Sequence, residues 1–122
     1  MRYTIKNQAL LVPCLLFMLF NSHALAEDSI TVLEHSVKPV AAVSSGRYIE
    51  TAWKVKLCNE SEDPVTCVVE IFFKDKNEDS LKKTKKEIEL KGHEVSTCSD
   101  TVLLRSSIVS EIVSTDISVK IK

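Results

Sequence analysis

The stretch that decides the fold runs from Ala52 to Asp75 and reads A-W-K-V-K-L-C-N-E-S-E-D-P-V-T-C-V-V-E-I-F-F-K-D. In its first half Trp53, Val55 and Leu57 alternate with lysines, which is the two-residue period of a strand with one dry and one wet face. In its second half the same period gives a dry face of four residues: Cys67, Val69, Ile71 and Phe73. The stretch therefore predicts two amphipathic strands.

The two strands are separated by a polar break at residues 59–64, N-E-S-E-D-P. Pro64 fixes its own φ and has no backbone donor, and it pushes Asp63 toward extended geometry. The remaining residues of the break are common turn formers. The chain must reverse here, and the whole stretch predicts a β-hairpin.

The rest of the chain shows further strand-like runs. We expect two pieces of a broken edge strand at 30–34 and 40–43, interrupted by residues 36–39, and longer strands at 47–58, 65–74 and 81–90. Residues 94–104 predict one strand or a pair of short strands, residues 105–110 a loop, and residues 111–122 a closing strand. No amphipathic helix and no internal repeat is apparent. Six to seven short strands favour an all-β, antiparallel β-sandwich, because a sheet with an apolar face needs a second sheet to cover it.

A lysine cluster, K-K-T-K-K at residues 82–86, lies within one of these predicted strands. Two interpretations are open. The cluster is a polyanion-binding patch, or it is a solvated edge strand whose lysines prevent pairing with another chain, and we favour the second.

The first 26 residues have the features of a cleaved export signal. Arg2 and Lys6 give a basic start, an apolar core of twelve residues follows from Ala9 to Phe20, and Ala24-Leu25-Ala26 has the small-x-small pattern of a cleavage site. The core is shorter than the roughly 20 residues of a membrane span. We therefore expect residues 1–26 to be removed, no membrane span in the mature chain, and a periplasmic or secreted location.

Cys14 does not fit a lipoprotein signal. Pro13 precedes it where a small residue would be expected, and the apolar run continues beyond it.

The mature chain, residues 27–122, is long enough for a single domain with a modest core. Removing Arg2 and Lys6 from the 16 basic residues leaves 14 against 17 acidic residues, a net charge of −3. Without a basic face there is no electrostatic reason to expect nucleic-acid binding.

The central stretch resembles the FxLYD type of small bacterial exported domain, which is an immunoglobulin-like β-sandwich. That pattern consists of an alternating strand, Asn-x-Ser/Thr, a proline turn and a second strand that ends near an aromatic residue and an aspartate. The residues that match are Trp53, Asn59, Ser61, Pro64, Phe73 and Asp75. The resemblance spans about residues 50–104 and implies an immunoglobulin-like fold in the bacterial envelope, with no shared enzymatic activity. In that setting we interpret Asn59 as a turn residue rather than a glycosylation acceptor.

Three cysteines remain after cleavage, and export places them where disulfides persist. We predict a bridge between Cys58 and Cys67, because they flank the predicted turn, with Cys98 as the spare thiol. Strict alternation places Cys67 inward and Cys58 outward, so this bridge requires a bulge beside the turn. A Cys67–Cys98 bridge is the next alternative.

Nothing in the sequence indicates catalysis, a metal or a cofactor. His35 and His93 form no recognised ligand spacing with Cys58 or Cys98, and no oxyanion device accompanies Cys98 as a nucleophile. We therefore predict a protein that is not an enzyme and has no cofactor.

Two functional hypotheses remain. Val68 and Phe72 lie on the charged face of the second central strand, and an exposed apolar patch there would bind an unknown protein partner. The opposing interpretation is that both residues are buried under residues 30–43. The second hypothesis is a secreted effector or redox-responsive protein that uses the spare cysteine.

Overall fold

Within residues 22–122, seven strands form two facing sheets. The structure is a computed structural model that describes residues 22–122. Its elements are β1 (Ser22–Ala26), β2 (Ile30–Val43), β3 (Tyr48–Asn59), β4 (Val65–Lys74), β5 (Ser80–Leu90), β6 (Val95–Arg105), the short helix α1 (Ser106–Val109) and β7 (Ser114–Ile121). One sheet has the order β1-β7-β4-β5 and the other β2-β3-β6. The predicted all-β sandwich is confirmed, with antiparallel pairing throughout except for β1, which runs parallel to β7.

The core lies between the sheets and is built by the predicted alternation. Trp53, Val55 and Leu57 of β3 are all buried, and they face the buried residues of β4, which include Ile71 and Phe73. β7 adds Ile117 and Val119, while Val37 and Leu104 come from β2 and β6. Each such side chain contributes about 1.5–3 kcal/mol when it is fully removed from water.

The predicted hairpin between β3 and β4 is wrong. β3 is the central strand of the three-stranded sheet, whereas β4 pairs with β5 and β7 in the other sheet. Residues 60–64 therefore carry the chain from one sheet to the other. The alternation identified the inward face of each strand correctly. It does not distinguish a hairpin from two strands in opposite sheets, because both arrangements bury that face.

Asn59 holds this crossing in place from a fully buried position. Its Nδ2 donates to the carbonyl oxygens of Asp63 at 2.8 Å and Lys91 at 3.1 Å. Its Oδ1 accepts from the backbone N of Ser61 at 3.0 Å and from the Ser61 hydroxyl at 2.8 Å. Its own backbone N donates to Glu94 O at 2.9 Å. One amide therefore joins the crossing segment to the turn between β5 and β6.

The same contact explains the glycine in the β5–β6 turn. A Cβ atom at Gly92 would overlap the carbonyl oxygen of Glu62 in the crossing segment. His93, next in the chain, adopts a φ of 60° and donates its backbone N–H to Ser61 O at 3.0 Å. Gly92 is thus required by the close approach of two backbones.

The edge strands differ in how they are protected. The predicted break at residues 36–39 is wrong, because β2 continues through these residues as one edge strand. Its pairing with β3 shifts register twice, at Val32/Glu34 and at Pro39/Ala41. β5 is one of the two edge strands of the other sheet, and its lysines are exposed. Residues 82–86 therefore lie on a solvated edge strand, as predicted.

The C-terminal third follows the sequence pattern with one correction. Residues 95–105 form a single strand. The segment predicted as a loop at 105–110 contains the one-turn helix α1. The closing strand β7 begins at Ser114 and has Thr115, Ile117 and Val119 buried.

β1 lies within the segment predicted to be an export signal. It pairs with β7, and the Ser22 hydroxyl oxygen lies 2.7 Å from Nδ1 of His35 on β2. The basic start, the apolar core and Cys14 lie outside the described residues. The division into residues 1–26 and 27–122 stays a prediction.

We expect Asn59→Ala to lower the free energy of unfolding by roughly 2–4 kcal/mol, because it leaves buried backbone groups of the crossing and of the β5–β6 turn without partners. Urea unfolding followed by circular dichroism measures the change. Ser61→Ala is the matched control, since it removes only a hydroxyl at the margin of the network and should cost about 1 kcal/mol. Equal costs for the two variants would contradict the central role of Asn59.

Candidate functional site

The candidate site lies on the outer face of the four-stranded sheet, meaning the face that points away from the three-stranded sheet. On β4, Cys67, Val69, Ile71 and Phe73 point inward, so Val68 and Phe72 point outward, as predicted. Both are half-buried. They are the apolar residues of β4 on this face, and their alternating neighbours on the same strand are Glu70 and Lys74.

The opposing interpretation, burial of Val68 and Phe72 under residues 30–43, is wrong. Those residues form β2, which belongs to the other sheet. The helix α1 contacts β3 and β6, also in the other sheet. Val68 and Phe72 are therefore shielded by side chains of their own face.

Ion pairs join neighbouring strands around Phe72. Lys74 Nζ lies 2.6 Å from Asp116 on β7, and Lys83 Nζ on β5 lies 3.9 Å from Glu70. Lys83 Nζ also lies 5.8 Å from the centre of the Phe72 ring, within range of a cation–π contact. The hydrogen bond to Asp116 raises the pKa of Lys74. These two ion pairs thus lie around the aromatic ring.

A groove of about 280 Å³ runs beside Phe72. Its walls are Phe72 and Lys74 on one side and His23 and Leu25 of β1 on the other, with β7 between them. Leu25 is 79% exposed. The groove was not predicted from the sequence, because His23 and Leu25 lie in the predicted export signal. Their alternation with Ser22, Ala24 and Ala26 was the available signal that they form a strand.

The cysteines are placed differently from the prediction. Cys58 is half-exposed and points away from the core of the three-stranded sheet, because alternation continues without a slip through buried Leu57 and Asn59. Cys67 is fully buried and faces inward from the four-stranded sheet. The two positions therefore do not favour a Cys58–Cys67 bridge, since β3 and β4 are not neighbours and no bulge turns Cys58 inward.

Cys98, predicted as the spare thiol, is 3% exposed and faces the interior from β6. It therefore lies in the same core as Cys67 but on the opposite sheet. Burial raises the pKa of both thiols, and Cys67 contributes to the rise at Cys98. For Cys58 the pKa is raised by desolvation and by the nearby Glu60 carboxylate.

His35 and His93 lie far apart in their settings. His35 lies at the β1–β2 contact, where burial and then the neighbouring His23 lower its pKa. His93 is exposed in the β5–β6 turn. Within residues 22–122 no group of three or more His, Cys, Asp and Glu side chains is arranged to hold a metal ion. The same residues include no helix of the length and apolar character needed to cross a membrane.

We expect oxidation of the folded protein to join Cys67 to Cys98, because these two thiols face the same interior from opposite sheets. Non-reducing peptide mapping identifies the bridge. In the chain-entropy model such a loop contributes roughly 3–4 kcal/mol to the free energy of unfolding, which reduction or Cys98→Ser should remove.

Cys58→Ser is the matched control and should change neither the map nor the stability. Recovery of a Cys58–Cys67 peptide would show that this assignment is wrong.

Comparison with known proteins gives structural likeness only. No protein-family model matches the sequence, and no curated protein matches it. Among solved structures, cj0090 of Campylobacter jejuni is similar, with 11% identity, a TM-score of 0.49, and coverage of 81% of this chain and 97% of that one. A DUF1425 family member from Shewanella is similar with 9% identity, a TM-score of 0.43, and coverage of 78% of this chain and 92% of that one. A putative beta-galactosidase from Bacteroides fragilis is similar with 12% identity and a TM-score of 0.47 over 75% of this chain, which corresponds to 15% of the larger protein.

Proposed function

We propose that this chain is a non-enzymatic protein-interaction domain of the bacterial envelope, exported by residues 1–26 and released in the periplasm or secreted. The observation that carries the proposal is the position of Phe72. A large aromatic ring lies half-exposed on the outer face of a central strand, in the part of the chain that remains after processing. Aromatic residues in this setting are favoured as anchors of protein interfaces.

The arrangement of charges supports the same proposal. Lys74 with Asp116 and Lys83 with Glu70 form ion pairs that surround Phe72, as the polar rim of an interface surrounds its apolar centre. The FxLYD resemblance of residues 50–104 fits a small exported domain of this kind. Asn59 in the matching segment has a structural role, in keeping with its interpretation as a turn residue and not a glycosylation acceptor.

The alternative proposal, an effector or redox-responsive protein with a reactive spare cysteine, receives less support. Cys98 is buried, so it cannot reach a thiol of another chain in the folded protein. Cys58 is the accessible thiol among residues 22–122, and its raised pKa favours the unreactive protonated form. The binding proposal needs no thiol chemistry.

We expect Phe72→Ser to abolish the co-purification of a partner with the exported protein after mild crosslinking in its native cells. The ring is half-buried, so the variant should cost only about 1 kcal/mol in the free energy of unfolding. Leu103→Ser is the matched control, because Leu103 is 50% exposed on the other sheet and should be dispensable for binding. A cost of several kcal/mol for Phe72→Ser would mean that the ring serves the core instead.

We also expect processing between Ala26 and Glu27, which intact mass of the exported protein measures. Ala26→Arg should block it, since the cleavage position requires a small residue. Leu25→Ser changes the residue between the two small ones and should leave it intact. A mature chain that retains Phe20, or that is acylated at Cys14, would contradict the proposed signal.

A further inference from the structure

β1 occupies the edge of β7 with a specific pattern of side chains. Its five residues pair in parallel with Thr115 to Val119. Ala24 and Ala26 face inward and pack against the core as partly buried residues. His23 and Leu25 face outward and are exposed. The edge of β7 therefore accepts an extended segment whose inward side chains are small.

The hydrogen-bonding direction of β7 is fixed by its ends. Val119 O accepts from Glu27 N at 3.1 Å, and Ile121 N donates to Glu27 Oε1 at 2.6 Å, both on the β1 side. Lys122 N donates to Thr66 O, next to β4, on the opposite side. Since direction alternates along a strand, the backbone N–H and C=O of Ile117 also face β1.

Removal of residues 1–26 would take β1 away and leave these groups open. The buried apolar core of the described chain begins at Ile30, so the sandwich keeps its core without β1. The edge of β7 would then be exposed, with Asp116 and Lys120 as its outward-facing charges. β5 has its lysines and β2 has Pro39 and two register shifts, whereas the β4–β7 pairing runs through without a shift and β7 has no proline.

We propose that the processed protein uses the edge of β7 to bind an extended segment of a partner protein, in parallel orientation and with small side chains at alternate positions. The proposal rests on the proposed export and processing, and it specifies the partner's chemistry. The segment takes the place that β1 has in the full chain, with Ala, Ser or Gly at its first, third and fifth positions. Its fourth side chain lies on the outer face where Leu25 lines the groove beside Phe72.

Two observations favour such a segment over a second copy of this chain. Glu27 is retained after processing, and an antiparallel pairing of two β7 strands along their full length would have to displace the bonds that it makes here to Val119 and Ile121. A second β7 would also place the larger Ile117 and Val119 side chains at the inward positions that Ala24 and Ala26 occupy here, where there is room only for small side chains. A five-residue segment that stops at Glu27 meets neither obstacle.

His35 gives the first position of the segment a polar partner. In the full chain the Ser22 hydroxyl lies 2.7 Å from His35 Nδ1 across the gap between the two sheets. A serine at the first position of a bound segment would make the same contact. This hydrogen bond distinguishes the parallel arrangement from a reversed one, which would place another residue beside His35.

The test uses the processed protein purified from the periplasm, with its mass confirmed to begin at Glu27, and a synthetic acetylated and amidated peptide of the sequence Ser22–Ala26. NMR titration at millimolar peptide should shift the amide signals of Ile117 and Val119. Peptide with Ala24→Trp should bind at least about tenfold more weakly, because the ring has no room inside. Peptide with Leu25→Trp, the matched outward change, should bind as well as the parent.

Several results would overturn the inference: no shifts at saturating peptide, equal affinity for the Ala24→Trp and Leu25→Trp peptides, or shifts confined to β2 or β5. Dimerisation of the processed protein through Ile117 would also overturn it, as would an exported protein that retains β1. These outcomes are separate from the proposed function. If Phe72→Ser still abolishes partner binding while the peptide fails, the domain binds through its outer face and not through this edge.

Discussion

The buried side chain of Asn59 is the contact on which the two-sheet arrangement depends. A chain that leaves one sheet and enters the other exposes backbone groups at the crossing, and those that become buried need partners. Asn59 supplies both donors and acceptors at this point, to Asp63, Ser61 and the carbonyl of Lys91. An aspartate would offer no donors and a serine would not reach both segments. The Gly92 turn can approach the crossing closely because this network draws the two together.

The sequence predicted the class of fold and the faces of its strands, because alternation is a local property that burial enforces. It did not predict the neighbours of β3 and β4. Trp53, Val55 and Leu57 face a core in either arrangement, so the pattern is the same for a hairpin and for a crossing between sheets. The hydrogen bond of Asn59 that is specific to the crossing reaches Lys91, 32 positions further along the chain. A local sequence pattern does not reveal such a distant contact. The interruption expected in β2 was absent for a similar reason, since bulges absorb a proline at an edge.

The candidate site was predictable in part. Val68 and Phe72 stood out as apolar residues on a charged face, and the structure places them there. The cysteines show the limit of reasoning from nearness in sequence. Cys58 and Cys67 are close along the chain and lie on different sheets, while Cys67 and Cys98 are distant along the chain and face one interior. The groove beside Phe72 was not predictable in the same way, because its wall includes Leu25, which lies in the predicted export signal.

Trp53 gives the molecule an internal optical reporter. It is the one tryptophan in the sequence, and its side chain is 2% exposed at the centre of the three-stranded sheet, facing the four-stranded sheet. An indole away from water emits at shorter wavelength than one in contact with it, so the emission maximum follows the separation of the two sheets and no added dye is needed. Events at the surface, such as side-chain exchange on the outer face, leave this environment unchanged. Fluorescence therefore separates loss of the core from changes at the periphery within a single measurement.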